Sequence, residues 1–273
     1  MIADAALPAA PGSCASGTLQ SSVSDIQANG LLGIGLLRQD CGAGCAVSGI
    51  NAPAGWYYTC PGNSCSPVGV PVNQQLQNVV GMFVNDNNGV QMQLPTVAAS
   101  GQASATGSLI FGIGTQANNG LGSAMIYAVD TNPADAQTTY LNLSTTYNST
   151  VFPQSYIDSG SNGWYFDDLN IKVCGAKQPK GFYCQNAGPL TATMQGFGGG
   201  NSFPYSFSVA DASTLSGSFA AFSDLAGPAS NPGMIGSTFD WGLPFFYGRS
   251  VFVALEGTTV GATAGPFFAA STP

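Results

Sequence analysis

The stretch Ser155-Tyr-Ile-Asp-Ser-Gly-Ser-Asn-Gly-Trp-Tyr-Phe166 decides how this chain is interpreted. An apolar strand runs into Asp158, a Ser-Gly-Ser turn follows, and an aromatic strand begins directly afterwards. Glycine permits a tight turn, and its amide and the serine hydroxyls can hydrogen-bond the carboxylate, so the Asp158 environment favours a perturbed carboxyl pKa. The alternative is an ordinary Asp-Ser-Gly turn between two strands, which is common in β proteins.

Short strands separated by Gly and Asn turns continue on both sides of this stretch. Alternating or apolar runs predict strands at SLIF, SAMIYAV, LTATM, YSFSVA and RSVFVALE, and Gly89–Pro95 alternates like a half-buried strand. Met82–Val84 is also predicted as a strand. Val72–Val80 is the best short helix candidate. Helical periodicity is otherwise nearly absent, so the sequence predicts an all-β fold.

Composition excludes several classes of function. The 273 residues include 5 Lys or Arg, 13 Asp or Glu and no His, which gives a net charge of −8. Without a basic surface, phosphate-directed binding to nucleic acid is disfavoured. Without His, the Ser-His-Asp and Cys-His triads and His-ligated metals are excluded. We predict no cofactor and no metal.

Seven cysteines fall into three close pairs and one outlier. The spacing favours disulfides Cys41–Cys45, Cys60–Cys65 and Cys174–Cys184 in an oxidising compartment, and leaves Cys14 without a partner. A metal site built from the first four paired cysteines is the alternative. The low charge and the cysteines predict an extracytoplasmic protein. No apolar run reaches the ~18 residues of a membrane span. No signal peptide is visible after Met1, so we expect the export signal upstream of a chain that is a fragment.

The segment Gly112-Ile-Gly-Thr-Gln-Ala117 matches the dinucleotide fingerprint G-x-G-x-x-G/A after a strand. That fingerprint needs a helix immediately afterwards, so that the pyrophosphate can sit on its N-terminus. Asn118-Asn-Gly-Leu-Gly122 follows instead, which is typical of a turn. We therefore favour a hairpin turn over a nucleotide site.

Four elements resemble the pepsin-like aspartic peptidases. Tyr156–Ser161 is similar to that family's catalytic hydrophobic-hydrophobic-Asp-Thr/Ser-Gly-Thr/Ser signature, and Gly107–Ile126 is similar to the strands that open the second lobe. Trp241–Val253 resembles the apolar-apolar-Gly element behind the catalytic turn, with Leu243 in place of the usual Asp. Asn29–Gly35 resembles its first-lobe equivalent. In style the chain is closest to an uncharacterised bacterial extracytoplasmic family on this plan.

This resemblance implies a bilobal, pepsin-like all-β fold in which the first lobe is incomplete. Residues 1–97 would be the C-terminal part of the first lobe, and 98–273 a second lobe carrying the Asp-Ser-Gly-Ser motif. Asp158 would be the acid/base carboxylate for peptide-bond hydrolysis, with Ser159, Gly160 and Ser161 orienting it. Polypeptides would be its substrates.

Pepsin-like hydrolysis needs two aspartates that share a proton, and the sequence contains a single Asp-Ser-Gly motif. We therefore expect this chain to be inactive as given, and to self-associate through its incomplete first lobe. The alternative is a non-catalytic secreted or cell-surface β protein that binds peptide or glycan in its cleft. In that case Trp164, Tyr165 and Phe166 would offer stacking faces.

Overall fold

The structure is a computed structural model that describes residues 23–26, 33–46, 57–61, 65–99, 101–135, 138–231 and 233–272. The chain divides into two compact units, residues 1–82 and residues 83–273. The predicted Cys14 and most of the predicted Asn29–Gly35 element lie outside the described residues. The described part, Gly33–Gly35, is irregular backbone.

The first unit contains little regular structure among its described residues. Its one sheet there is the antiparallel pair β1 (Tyr58–Thr59) and β2 (Ser66–Pro67). The helix α1 spans Val23–Ile26. Three 3-10 turns complete the described elements of this unit: Gly42–Cys45, Val72–Gln74 and Val79–Met82.

The predicted helix over Val72–Val80 is wrong, because two separate 3-10 turns stand in its place. The buried side chain of Gln75 donates to the carbonyls of Gly42 and Val70, at 2.7 and 2.9 Å. Asn78 likewise donates to the carbonyl of Leu37 at 3.2 Å. These polar side chains donate hydrogen bonds to backbone groups that are distant in the sequence. These contacts, and not a helical pattern of apolar residues, determine the conformation of the segment.

The second unit contains two larger sheets, which confirm the all-β class. Their strands are β3 (Gly89–Gln93), β4 (Ser108–Phe111), β5 (Met125–Ala128), β6 (Leu143–Tyr147), β7 (Thr150–Ile157), β8 (Trp164–Tyr165), β9 (Ala187–Gln195), β10 (Ser202–Val209), β11 (Ala226–Gly227), β12 (Asp240–Trp241), β13 (Ser250–Ala254) and β16 (Phe267–Ala270). A small hairpin adds β14 (Thr259–Val260) and β15 (Thr263–Ala264). The helix α2 spans Leu243–Phe246, and 3-10 turns occupy Pro133–Asp135, Phe197–Gly199 and Ala212–Thr214.

The seven-stranded sheet has the order β10-β9-β6-β7-β12-β8-β11, and the five-stranded sheet has the order β4-β3-β13-β16-β5. β3 is an interior strand of the second sheet, since it pairs with both β13 and β4. Met82–Val84, predicted as a strand, is not one; Val84 is 93% exposed.

The Gly112–Ala117 segment is followed by turns and not by a helix, as predicted. The side chain of Asn119 holds this segment together: its Oδ1 atom accepts hydrogen bonds from the backbone N–H groups of Thr115 and Gln116, at 3.0 and 2.8 Å. The predicted hairpin is wrong, however. The strands before and after the segment, β4 and β5, lie at opposite edges of their sheet, so it begins a longer crossing loop.

An aromatic core packs against the seven-stranded sheet and positions the strands around Asp158. Edge-to-face and stacked rings, which contribute beyond their buried area, link Trp164, Phe166, Tyr205, Phe207, Phe239, Trp241 and Phe245. Trp241 is fully buried, and its indole N–H donates to the Thr145 hydroxyl at 2.8 Å.

Three disulfides join the predicted cysteine pairs. They are Cys41–Cys45, Cys60–Cys65 and Cys174–Cys184. The first four of these cysteines form two disulfides, so their sulfur atoms are not free to bind a metal. The alternative of a four-cysteine metal site is therefore wrong. Oxidising compartments favour such bonds, so the disulfides suggest an extracytoplasmic location. In the part of the chain that the structure describes, no helix has both the length and the apolar character to cross a bilayer.

Candidate functional site

Asp158 stands at the first position after β7, where the chain turns sharply. Its carboxylate accepts the Gly160 N–H at 2.7 Å and the Ser161 hydroxyl at 3.0 Å. A Cβ on Gly160 would lie 3.0 Å from Asp158 Oδ1, so glycine lets the backbone amide approach this closely. Ser159 and Gly160 are exposed and Asp158 is half-buried, so the turn presents its carboxylate at the surface.

The two-residue strand β12 runs between β7 and β8 and supports this turn from behind. The backbone carbonyl of Trp241 accepts a hydrogen bond from the Asp158 N–H at 3.1 Å. The Leu243 N–H donates to the Ser161 carbonyl at 2.7 Å. A Cβ on Gly242 would lie 2.0 Å from the Gly163 carbonyl oxygen, so only glycine fits there. The predicted Trp241–Gly242 element thus contacts the Asp158 turn directly.

Register places a second carboxyl on the same face of the sheet as Asp158. Asp240 is paired with Tyr156 of β7 in parallel and with Tyr165 of β8 in antiparallel. Side chains alternate along a strand and paired residues share a face. Tyr156, Asp158, Asp240 and Tyr165 therefore lie on one face. The intervening residues, such as Trp241, lie on the other, in the aromatic core.

Asp240 is a buried carboxyl with an incomplete set of hydrogen bonds. It is 4% exposed, and its Oδ1 atom has no hydrogen-bond partner among the described residues. Burial raises the pKa of Asp240 to about 7; the nearby Ser161 hydroxyl opposes this rise, and the charge of Asp158 adds to it. Ser161 therefore interacts with both carboxyls while it has one hydroxyl proton to give.

Two tyrosines flank the carboxyls. Burial, and then the charges of Asp240 and Asp158, raise the pKa of Tyr156 to about 12. Burial and the Asp240 charge also raise the pKa of Tyr165, whose hydroxyl donates to Asn162 Oδ1 at 2.6 Å. Both phenols therefore keep their protons at neutral pH and do not act as bases.

The structure brings Asp158, Gly160 and Ser161 together as a hydrogen-bonded unit, with Ser159 exposed beside them. It does not offer the expected aromatic stacking faces at Trp164 and Phe166, because these side chains are 2% and 0% exposed and belong to the core. Tyr165 alone of the three is half-buried on the Asp158 face.

Sequence reasoning missed Asp240. The element was read from Trp241 onward, and an acid one residue earlier belongs to no Asp-Thr/Ser-Gly motif. The available signal was its position two residues before Gly242, directly before the Trp241–Val253 segment expected behind the turn.

Metal ligands are not assembled around this site. In the described ranges no group of three or more His, Cys, Asp or Glu side chains is arranged to hold a metal ion. The site instead combines the hydrogen-bonded carboxylate of Asp158 with the buried Asp240 carboxyl, whose pKa is raised.

A family model described as "Protein of unknown function (DUF3443)" matches residues 1–270. The chain belongs to the DUF3443 family. The match spans both compact units and includes Asp158 and Asp240, so the site lies within the region that defines a DUF3443 protein. No curated protein matches the sequence.

Proposed function

We propose that this DUF3443 chain is an aspartic-peptidase-like protein that acts on polypeptides, with Asp158 as the acid/base carboxylate. The geometry of Asp158 carries the proposal: a carboxylate at a strand end, held by the Gly160 amide and the Ser161 hydroxyl and presented at the surface. In such a site the ionised carboxylate takes a proton from the attacking water. The proposal includes the bilobal pepsin-like plan, with residues 1–97 and 98–273 as parts of two lobes.

Asp240 acts in this proposal as a positioning residue. Its burial keeps it away from substrate, but it shares Ser161 with Asp158. While Asp240 is protonated, below about pH 7, it adds no negative charge beside Asp158. When it ionises, it places a second negative charge close to Asp158.

One catalytic motif supplies half of a pepsin-like dyad, so we expect binding without turnover from this chain. The probe is a peptide in which a secondary alcohol replaces the scissile bond and mimics the tetrahedral intermediate. Titration calorimetry should show at least about tenfold weaker binding to Asp158→Asn, in line with the loss of a charge-assisted hydrogen bond. Asp135→Asn is the matched control, since it removes one carboxylate from an exposed turn.

A casein assay between about pH 3 and 7, the range of ordinary and dyad carboxyl pKa values, completes the test. We expect no cleavage. Cleavage that disappears in Asp158→Asn would support Asp158 as the catalytic carboxylate. It would contradict the expectation that a chain with half of the dyad is inactive. Equal binding of the alcohol peptide by wild type and Asp158→Asn would contradict the proposal. It would favour the non-catalytic secreted protein that binds peptide or glycan.

The proposal extends to location and assembly. We infer that the protein works outside the cytoplasm, since its three disulfides suit an oxidising compartment. We also infer that it self-associates. Leu76, Val79 and Met82 in the first unit are large apolar side chains that are 64%, 38% and 64% exposed.

A further inference from the structure

The second unit contains a cavity of about 230 Å³ that the Asp158 site does not use. Trp164, Phe207 and Tyr247 form aromatic walls, and Asp224 and Arg249 add one charged group of each sign. Trp164 is the residue of β8 next to Tyr165 and points to the opposite face, so this cavity lies on the other face of the sheet from Asp158.

Asp224 contributes a carboxylate that is nearly removed from water. It is 8% exposed, and its Oδ1 atom has no hydrogen-bond partner among the described residues. Burial raises its pKa. A buried carboxylate oxygen without a donor costs free energy, which a ligand that brings an N–H donor would recover.

Arg249 contributes the complementary cation. Its guanidinium lies over the rings of Tyr205 and Phe245, at 5.4 and 5.0 Å from their centroids, and Nη1 donates to the Phe245 carbonyl at 2.8 Å. Its Nε atom is buried and lacks a partner in the described part of the chain. Burial lowers its pKa, but an arginine remains charged at any physiological pH.

The two charges do not satisfy each other. Both residues line the cavity, and Asp224 Oδ1 and Arg249 Nε are each left without a hydrogen-bond partner among the described residues. A purely cationic ligand would leave Arg249 unpaired, and a purely anionic one would leave Asp224 unpaired. Only a ligand that carries both charges compensates both groups, and the aromatic walls favour an apolar side chain on it.

We infer that this cavity binds a small apolar zwitterion, a free amino acid or a dipeptide. Its ammonium group faces Asp224, its carboxylate faces Arg249, and its side chain packs on Phe207 and Tyr247. The site is independent of the proposed peptidase-like function, because no residue of the Asp158 turn lines the cavity.

The test is calorimetric titration of the full chain with L-leucine and L-leucyl-L-leucine. N-acetyl-L-leucine lacks the ammonium group and L-leucinamide lacks the carboxylate. We expect one zwitterion to bind at least about tenfold more tightly than both single-charge derivatives, since each derivative leaves one buried charge unpaired. The tighter of the two zwitterions fixes the length of the ligand.

Asp224→Asn, which preserves shape, should weaken zwitterion binding at least about tenfold and leave the affinity for N-acetyl-L-leucine unchanged. Lys180→Gln, an exposed charge outside the cavity, should leave all affinities unchanged. The comparison of ligands on the wild-type chain does not depend on how any variant folds. Absence of binding by both zwitterions at about 10 mM, or equal binding of the neutralised derivatives, would overturn the inference.

Discussion

Asp240 gives the protein a pH-dependent stability that a surface carboxylate would not. In the unfolded chain an aspartate titrates near pH 4, whereas in the fold burial raises the pKa of Asp240 to about 7. Between these values the folded state binds the additional proton. The contribution of Asp240 is therefore fully present below about pH 4, falls as pH rises, and is lost above about pH 7.

We predict that Asp240→Asn makes the free energy of unfolding less dependent on pH between about pH 4 and pH 7. Urea unfolding at pH 4, 5.5, 7 and 8.5 should show that wild type loses on the order of 2–4 kcal/mol across the range, and that Asp240→Asn loses much less. The amide has no proton to release. Asp135→Asn is the control and should retain the wild-type slope. A wild-type profile that is flat from pH 4 to 7 would contradict the buried, protonated state of Asp240.

At the residue scale the sequence predicted the hydrogen-bond donors to Asp158 but not its neighbour Asp240. The turn is local, so Asp-Ser-Gly-Ser is enough to predict which groups hold the carboxylate. Asp240 reaches the same face through a parallel pairing across more than 80 residues of chain. No local pattern encodes such a contact, and a two-residue strand leaves no alternation to detect.

At the scale of elements, the crossing of β12 behind the Asp158 turn depends on Gly242. We predict that Gly242→Ala lowers the unfolding free energy by about 2–4 kcal/mol, because the new methyl group would displace the backbone at Gly163. Thermal unfolding measures the loss. Gly217→Ala is the matched control, since a Cβ there meets no atom within 4 Å. Equal melting temperatures for the two variants would show that the strands are less closely packed.

The Cys174–Cys184 loop offers a second test at this scale. Lys177 and Lys180 are exposed inside it, and the other basic residues in the second unit are Lys172 and the partly buried Arg249. We predict early trypsin cleavage within the loop, with the two fragments held together by the disulfide. Electrophoresis should show one band without reductant and two with it. Two bands before reduction would contradict the pairing.

Strands with an alternating or apolar local pattern, such as β4, β7 and β13, were predicted from the sequence. The failures have a common cause. At Val72–Val80 and at β12, the structure is determined by contacts with distant backbone, and local periodicity carries no information about these.

On the scale of the whole molecule, the two compact units should differ in how independently they fold. β3 is an interior strand of the five-stranded sheet, between β4 and β13, although it precedes the predicted lobe boundary at residue 98. We predict that fragment 83–273 is a folded monomer and that fragment 98–273, which lacks β3, is less stable. Chromatography with hydrogen exchange measures both. Equal amide protection of β4 and β13 in the two fragments would contradict this role of β3.

We further predict that the full chain self-associates through the exposed apolar side chains of its first unit. Light scattering after size exclusion should give a mass above the 27.6 kDa of one chain, and Leu76→Ser with Met82→Ser should shift it toward the monomer. Val151→Ser, which removes an apolar side chain that is 58% exposed in the second unit, serves as the control. A monomeric wild type would contradict the prediction.

The contact between the two buried indoles has an optical consequence. Trp164 and Trp241 lie 5.7 Å apart with their planes at 73°. At this separation their electronic transitions couple, so the folded unit should show a split near-ultraviolet circular dichroism band and blue-shifted emission. Trp241 accepts the Asp158 amide and Trp164 lines the charged cavity. We therefore expect this band to report binding of the proposed ligands at either place without any added label.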